Sequence, residues 1–218
     1  MTNKQRLTHA VIAAAEIFAL LLTGCLGVFQ EVSQGEDGKT QTFVRLTMSK
    51  AMVESMDAMG GEPTDTDEIF DLEDAPFDPE NIPGLDNVVV EQVNNEVDLG
   101  IRFGGVIAGL PAGVQPEEAP FVPFEDGRNL IIALPPMGED EEPMDPQSEQ
   151  FAGMFFASTK YQLSLDKTLY PNVRSAKVVV KGKDSPASVT ELAGSWLVEF
   201  PFSTWMQASE GCRIVISL

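Results

Sequence analysis

The chain has 218 residues, with 34 carboxylates against 14 basic side chains and a formal net charge of −20. That balance excludes the basic footprint that nucleic-acid phosphates require. A single histidine, His9, and two cysteines, Cys25 and Cys212, leave too few ligands for a Cys/His zinc site or an HExxH centre.

The N-terminus reads as a targeting segment. Lys4 and Arg6 precede an apolar stretch from Ala10 to Leu22, which is shorter than the ~20 residues a spanning helix needs but fits a signal-peptide core. It closes on Leu22-Thr23-Gly24-Cys25, which looks like a bacterial lipobox. In that pattern the chain is cut after Gly24 and the Cys25 thiol carries the lipid. A buried core helix and an ordinary cleaved signal are the competing readings, and Glu16 is a costly carboxylate inside the apolar run. Leu26, in place of aspartate after the cysteine, fits sorting to the outer membrane in a diderm cell. Cleavage leaves 194 residues as one extracytoplasmic domain, 25–218, and loss of Lys4, Arg6 and Glu16 takes the charge from −20 to −21. It also discards His9, which excludes histidine-dependent triads, and acylation of Cys25 leaves Cys212 no intramolecular disulfide partner.

Residues 27–34 read as a strand, Gly35-Glu36-Asp37-Gly38 as a hairpin turn, and 41–48 as a second strand. In that second strand Phe43, Arg45 and Thr47 share one face, and Val44, Leu46 and Met48 the other. Ser49 sits where a helix cap belongs, and Met52, Val53, Met56 and Met59 give an amphipathic helix over about 49–59. Residues 62–84 hold nine carboxylates, four prolines and no base, an acidic loop. Strands follow at 87–93 and 96–103 about an Asn94-Asn95 turn, then a hairpin from Phe121 to Leu134 turning at Glu125–Arg128. A second acidic loop spans 135–148, and Glu149–Ser158 suits a short helix. The remainder is strand: Tyr161–Leu165, Lys177–Lys181, Ser195–Phe200 and Arg213–Leu218. The expected fold class is α+β, an antiparallel sheet of several hairpins with about two helices packed on it.

This order of elements is similar to that of the LppM-type bacterial lipoproteins. The segments that carry the resemblance are Cys25 to Val32, Glu36-Asp37-Gly38, Phe43 to Met48 with Ser49-Lys50, Tyr161 to Leu165, and Trp196-Leu-Val-Glu-Phe-Pro-Phe-Ser-Thr-Trp205. The resemblance implies a non-enzymatic envelope domain with an apolar pocket for a lipid or glycolipid. The acidic insertions depart from the family pattern.

Charge is concentrated in the middle of the chain, where residues 51–150 hold 25 acids against Arg102 and Arg128. Asp65–Asp74 opens like a calcium loop but lacks the glycine at its sixth position, so a solvated loop is the simpler reading. Lys177, Lys181 and Lys183 fall on one side of a strand by parity, as either a charged edge or a contact for anionic lipid. Ser49-Lys50 and Ser158-Thr159-Lys160 lack the S-x-x-K spacing. The aromatic stretch near the C-terminus holds Trp196, Phe200, Phe202 and Trp205; by parity Trp196, Val198, Phe200 and Phe202 share one face, interrupted by Pro201, and the stretch suits a core or the wall of a lipid pocket. Cys212 reads as a small buried hydrophobe. The reading with most support is a non-enzymatic lipoprotein, lipid-anchored in the cell envelope, that binds a lipid or other apolar ligand without metal or cofactor. The alternatives are an acidic module that recruits a basic protein or divalent cations, and a carboxylate-dependent hydrolase.

Overall fold

The computed structural model describes residues 26–58, 78, 80–136 and 159–218. The residues read as a lipobox, Leu22 to Cys25, most of the acidic loop expected over 62–84, the second acidic loop beyond Pro136 and the helix expected over 149–158 lie outside the described residues.

Among the described residues eleven strands join in one sheet. They are β1 (Leu26–Gln34), β2 (Thr40–Ser49), β3 (Leu85–Asn94), β4 (Asp98–Ile107), β5 (Phe124–Asp126), β6 (Asn129–Leu134), β7 (Lys160–Asp166), β8 (Ser175–Val180), β9 (Lys183–Glu191), β10 (Ser195–Pro201) and β11 (Cys212–Ser217). Their spatial order is β3-β4-β2-β1-β7-β10-β9-β8-β11-β6-β5. β1 and β7 pair in parallel, and every other pair is antiparallel.

The α+β expectation is corrected to a mostly β fold, a curled half-barrel. The described α-helices are only α1 (Lys50–Ala58) and the five-residue α2 (Phe202–Met206), with one 3-10 turn at Pro116–Glu118. No helical layer is required, because the sheet covers itself. Val28, Val44, Phe103, Leu163 and Val198 from one half share a single core with Leu130, Ile132, Val178, Ile214 and Ile216 from the other.

Local sequence explains the curl. β9 pairs with β8 through Lys183–Ala187 and with β10 through Ser188–Glu191, so it joins the two halves. Pro186, which has no N–H to give to a ladder, lies near that handover. On β4, a Cβ at Gly100 or Gly104 would stand 2.0 Å from the Leu46 carbonyl oxygen or 2.1 Å from that of Thr42. β2 and β4 therefore approach as they do only because those positions carry no side chain.

Several expectations are met. Ser49 Oγ accepts the Met52 N–H at 3.3 Å and caps α1. Val44 is buried while Phe43 and Arg45 face outward and are half-exposed. Others change. Phe121 is no strand residue but sits at φ +65°, with its N–H on the Ala133 carbonyl at 2.8 Å. Lys177, Lys181 and Lys183 do not share a strand face: Lys181 and Gly182, at φ +48° and +76°, make the β8–β9 turn, and Lys183 opens β9.

Candidate functional site

The aromatic stripe near the C-terminus is divided by Pro201, which ends β10 and leads into α2. Phe200 stays on the strand, while Phe202 and Trp205 turn inward on the helix. All three are at most 2% exposed. Tyr161 stacks on Phe200 with ring centroids 5.0 Å apart. Trp205 meets Tyr161, Phe202 and Phe121 edge-on at 5.7, 5.5 and 5.9 Å. Its indole N–H donates to the Pro135 carbonyl at 2.6 Å. These rings fill the core with one another, and the two surface grooves described below are lined by other residues. Trp196 is half-buried; its indole N–H donates to the Tyr170 carbonyl at 3.0 Å, and Lys167 Nζ stands 5.0 Å from its ring centroid.

A groove of about 600 Å3 opens on the outer face of the sheet, at the end where β1 begins. Cross-strand register builds it. One row across the sheet runs Arg102, Arg45, Phe29, Gln162, Glu199, and the next holds Gly100, Thr47, Gly27. The second row is low because two of its three members are glycines. At Gly27 an added Cβ would stand 2.9 Å from Thr47 Oγ1. Leu26, Val97 and Lys160 complete the rim.

Two ion pairs line this groove. Arg45 Nη2 meets Asp98 Oδ2 at 3.0 Å, and Lys160 Nζ meets Glu199 Oε2 at 3.6 Å. Gln162 Nε2 donates to Glu199 Oε1 at 2.9 Å. In both pairs the base is the more exposed partner, with side chains 42% and 57% exposed against 26% for Asp98 and 16% for Glu199. Arg45 and Arg102 face each other directly, which like charges resist. Each turns to a carboxylate: Arg102 reaches Glu91 at 3.1 Å, with its guanidinium 3.7 Å above the Phe43 ring. Among the described residues, Arg45 Nε is the one buried side-chain polar atom without a hydrogen-bond partner.

A second groove, of about 390 Å3, lies between Pro135, Pro136, Val179 and Gly211. The pairs Lys181–Glu210, at 3.7 Å, and Arg213–Glu117 line it. Cys212 lies at its floor, 5% exposed, and burial pushes its thiol up to about 12, far from reactive.

Among the described residues no three of His, Cys, Asp and Glu come together as a metal site, and no helix is long and apolar enough to cross a membrane. The Asp65–Asp74 segment lies outside the described residues. Sequence reasoning missed Gly27, Gln162 and Glu199 as groove residues. β1 meets Gln162 through its parallel pairing with β7, strands more than a hundred residues apart, and Gln162 meets Glu199 through the antiparallel pairing of β7 with β10. No family model, curated protein or solved structure matches this chain.

Proposed function

We propose that the chain is a membrane-anchored extracytoplasmic lipoprotein, acylated at Cys25, whose β-domain acts by binding rather than by catalysis. The supporting observation is positional. Leu26, the residue that follows Cys25, already belongs to β1, so no described residue stands between the strand and the proposed anchor. The larger groove opens at that same end and has Leu26 on its rim. Two acyl chains hold such a domain stably where one alone is marginal. In a diderm cell, Leu26 after the cysteine directs it to the outer membrane.

The ligand-binding part of this reading moves away from Trp196, Phe200, Phe202 and Trp205. Three of these rings satisfy one another in the core, so the outer groove is the better candidate for an envelope lipid. Its charged and amide lining suits a polar headgroup rather than an acyl tail.

The test is metabolic labelling with palmitate in a bacterial host, with intact-mass measurement of the purified chain. The expected result is loss of residues 1–24 and label on Cys25, abolished by Cys25→Ala. An unlabelled chain that still begins at Met1 overturns the proposal.

A further inference from the structure

The sheet has two edges, and they are built differently. β5 closes one side with three residues, whereas β3 closes the other with ten, and its sole strand partner among the described residues is β4. Register shows which backbone groups β3 leaves open. The Asn95 N–H donates to the Asp98 carbonyl at 3.0 Å, so this opposed pair is a hydrogen-bonded one. Alternation along the antiparallel ladder then turns the N–H and C=O of Val93, Glu91 and Val89 toward β4. Those of Val90, Gln92 and Asn94 point outward along the free edge. The Lys50 N–H on the Val97 carbonyl, at 2.8 Å, gives the complementary phase, in which Leu99, Ile101 and Phe103 bond to β2.

We propose that this edge takes an extended segment of a basic partner protein as an added antiparallel strand. Solitary edges are commonly short, or interrupted by proline or lysine, and Leu85–Asn94 is none of these. A bulge at Asn87 and Val88 disturbs its first part and leaves Val89–Asn94 as the regular stretch. Val89, Glu91 and Val93 alternate on the face that carries Arg102, and Val89 is 39% exposed. Glu91, held from the β4 side by Arg102 at 3.1 Å, keeps its side chain 56% exposed. An added strand meets these three with apolar, basic and apolar residues in turn.

Charge selects that partner over a second copy of this chain. Asp86, Glu91 and Glu96 are the formal charges on β3 and the turn that follows it, and all three are exposed. Antiparallel pairing of Val90, Gln92 and Asn94 with their counterparts sets Gln92 against Gln92. The two Glu91 carboxylates then become diagonal neighbours, between chains that each carry a net charge of −20.

The purified full chain is titrated with a short fluorescent peptide, capped at both ends, in which threonines alternate with valine, lysine and valine. Saturable binding is expected, about tenfold tighter than that of the same peptide with glutamate for lysine, and weaker as salt is raised. Glu91→Lys should reverse that preference. Gln92→Pro removes an outward N–H and no bond to β4, so it should abolish binding while thermal unfolding shows the domain folded. N-methylation of the peptide's threonines, whose amides face β3, should abolish binding to the unaltered protein, and N-methylation of its valines should not. Absence of saturable binding, equal binding of the lysine and glutamate peptides, or undiminished binding of the threonine-methylated peptide overturns the proposal. A dimer in sedimentation that Gln92→Pro dissociates also overturns it, by giving the edge to a second copy.

Discussion

The Tyr161 hydroxyl donates to Gln30 Oε1 inside the core, joining two strands separated by most of the chain. Both residues are 0% exposed. Gln30 spends its amide donors as fully as its acceptor: Nε2 reaches Thr42 Oγ1 at 2.9 Å and the Phe121 carbonyl at 2.7 Å. The network therefore ties β1, β2 and β7 to Phe121, whose positive φ is costly for a non-glycine residue. Fully partnered buried polar groups of this kind fix one arrangement of a core that apolar packing alone would leave less defined.

Removing one member strands the others. Gln30→Leu leaves the Tyr161 hydroxyl in the interior without the acceptor it uses, and is expected to cost about 3 kcal/mol in urea unfolding. Tyr161→Phe deletes only a donor and is expected to cost about 1–2 kcal/mol. The double variant restores an apolar match at that contact, so its loss should be smaller than the sum of the singles. Strict additivity would show that the network contributes nothing as a unit.

Trp205→Ala distinguishes core from pocket. If the ring is core, as its 1% exposure and three edge-on neighbours indicate, the variant loses about 3–5 kcal/mol. A variant of unchanged stability would mean that the indole lines a space the folded domain does not need filled.

The sequence was most readable where apolar residues alternate. β1, β2, β7, β10 and β11 each place Val, Leu, Ile, Tyr or Phe on one face, and each falls close to its expected bounds. β9 escaped because Lys-Asp-Ser-Pro-Ala-Ser-Val-Thr-Glu holds one large apolar residue, Val189, and a proline. The helical layer was over-read for a related reason. Pattern shows that a strand face is buried but not by what, and here the covering partner is the other half of the same sheet. Phe202 kept the strand parity of Trp196, Val198 and Phe200 in the sequence, yet after Pro201 it lies on α2, where Trp205 joins it in the core. The candidate groove was legible only in part. That Arg45 and Thr47 share a face followed from alternation, whereas their meeting with Gln162 and Glu199 depends on a register that no local pattern encodes.

The close approach of β4 to β2 gives a sharp backbone test. Gly104→Ala places a methyl 2.1 Å from the Thr42 carbonyl oxygen and 2.7 Å from the Phe43 Cα. Neither neighbour is a flexible side-chain end, so the strands must separate, at an expected cost of about 3 kcal/mol or more. Gly109→Ala is the control: an added Cβ there meets nothing within 4 Å, although its φ of +90° still imposes a backbone strain. Equal losses in the two variants would mean that dihedral strain alone, and not the β2–β4 contact, sets the requirement for glycine.

Alkaline pH should unfold this domain through groups that it buries neutral. Burial pushes the Cys212 thiol from 9.0 up to about 12, and holds the Tyr161 phenol well above its usual 10.0, with neighbouring Cys212 adding to the shift. For both, the folded state keeps a proton that the unfolded chain gives up. Their contribution is therefore complete below pH 9 and is lost as pH climbs toward the folded values. Unfolding free energy is expected to hold steady from pH 7 to 8.5 and then fall, at a slope of up to about 1.4 kcal/mol per pH unit for each group ionised in the unfolded chain alone. Cys212→Ala should flatten the segment between pH 9 and 10 and leave the steeper fall above 10, where Tyr161 and Tyr170, itself raised to about 12, take over. Urea titrations at pH 8, 9.5 and 11 read the difference. A wild-type curve that matches Cys212→Ala at pH 9.5, after correction for the baseline cost of the truncation, would place the thiol within reach of water.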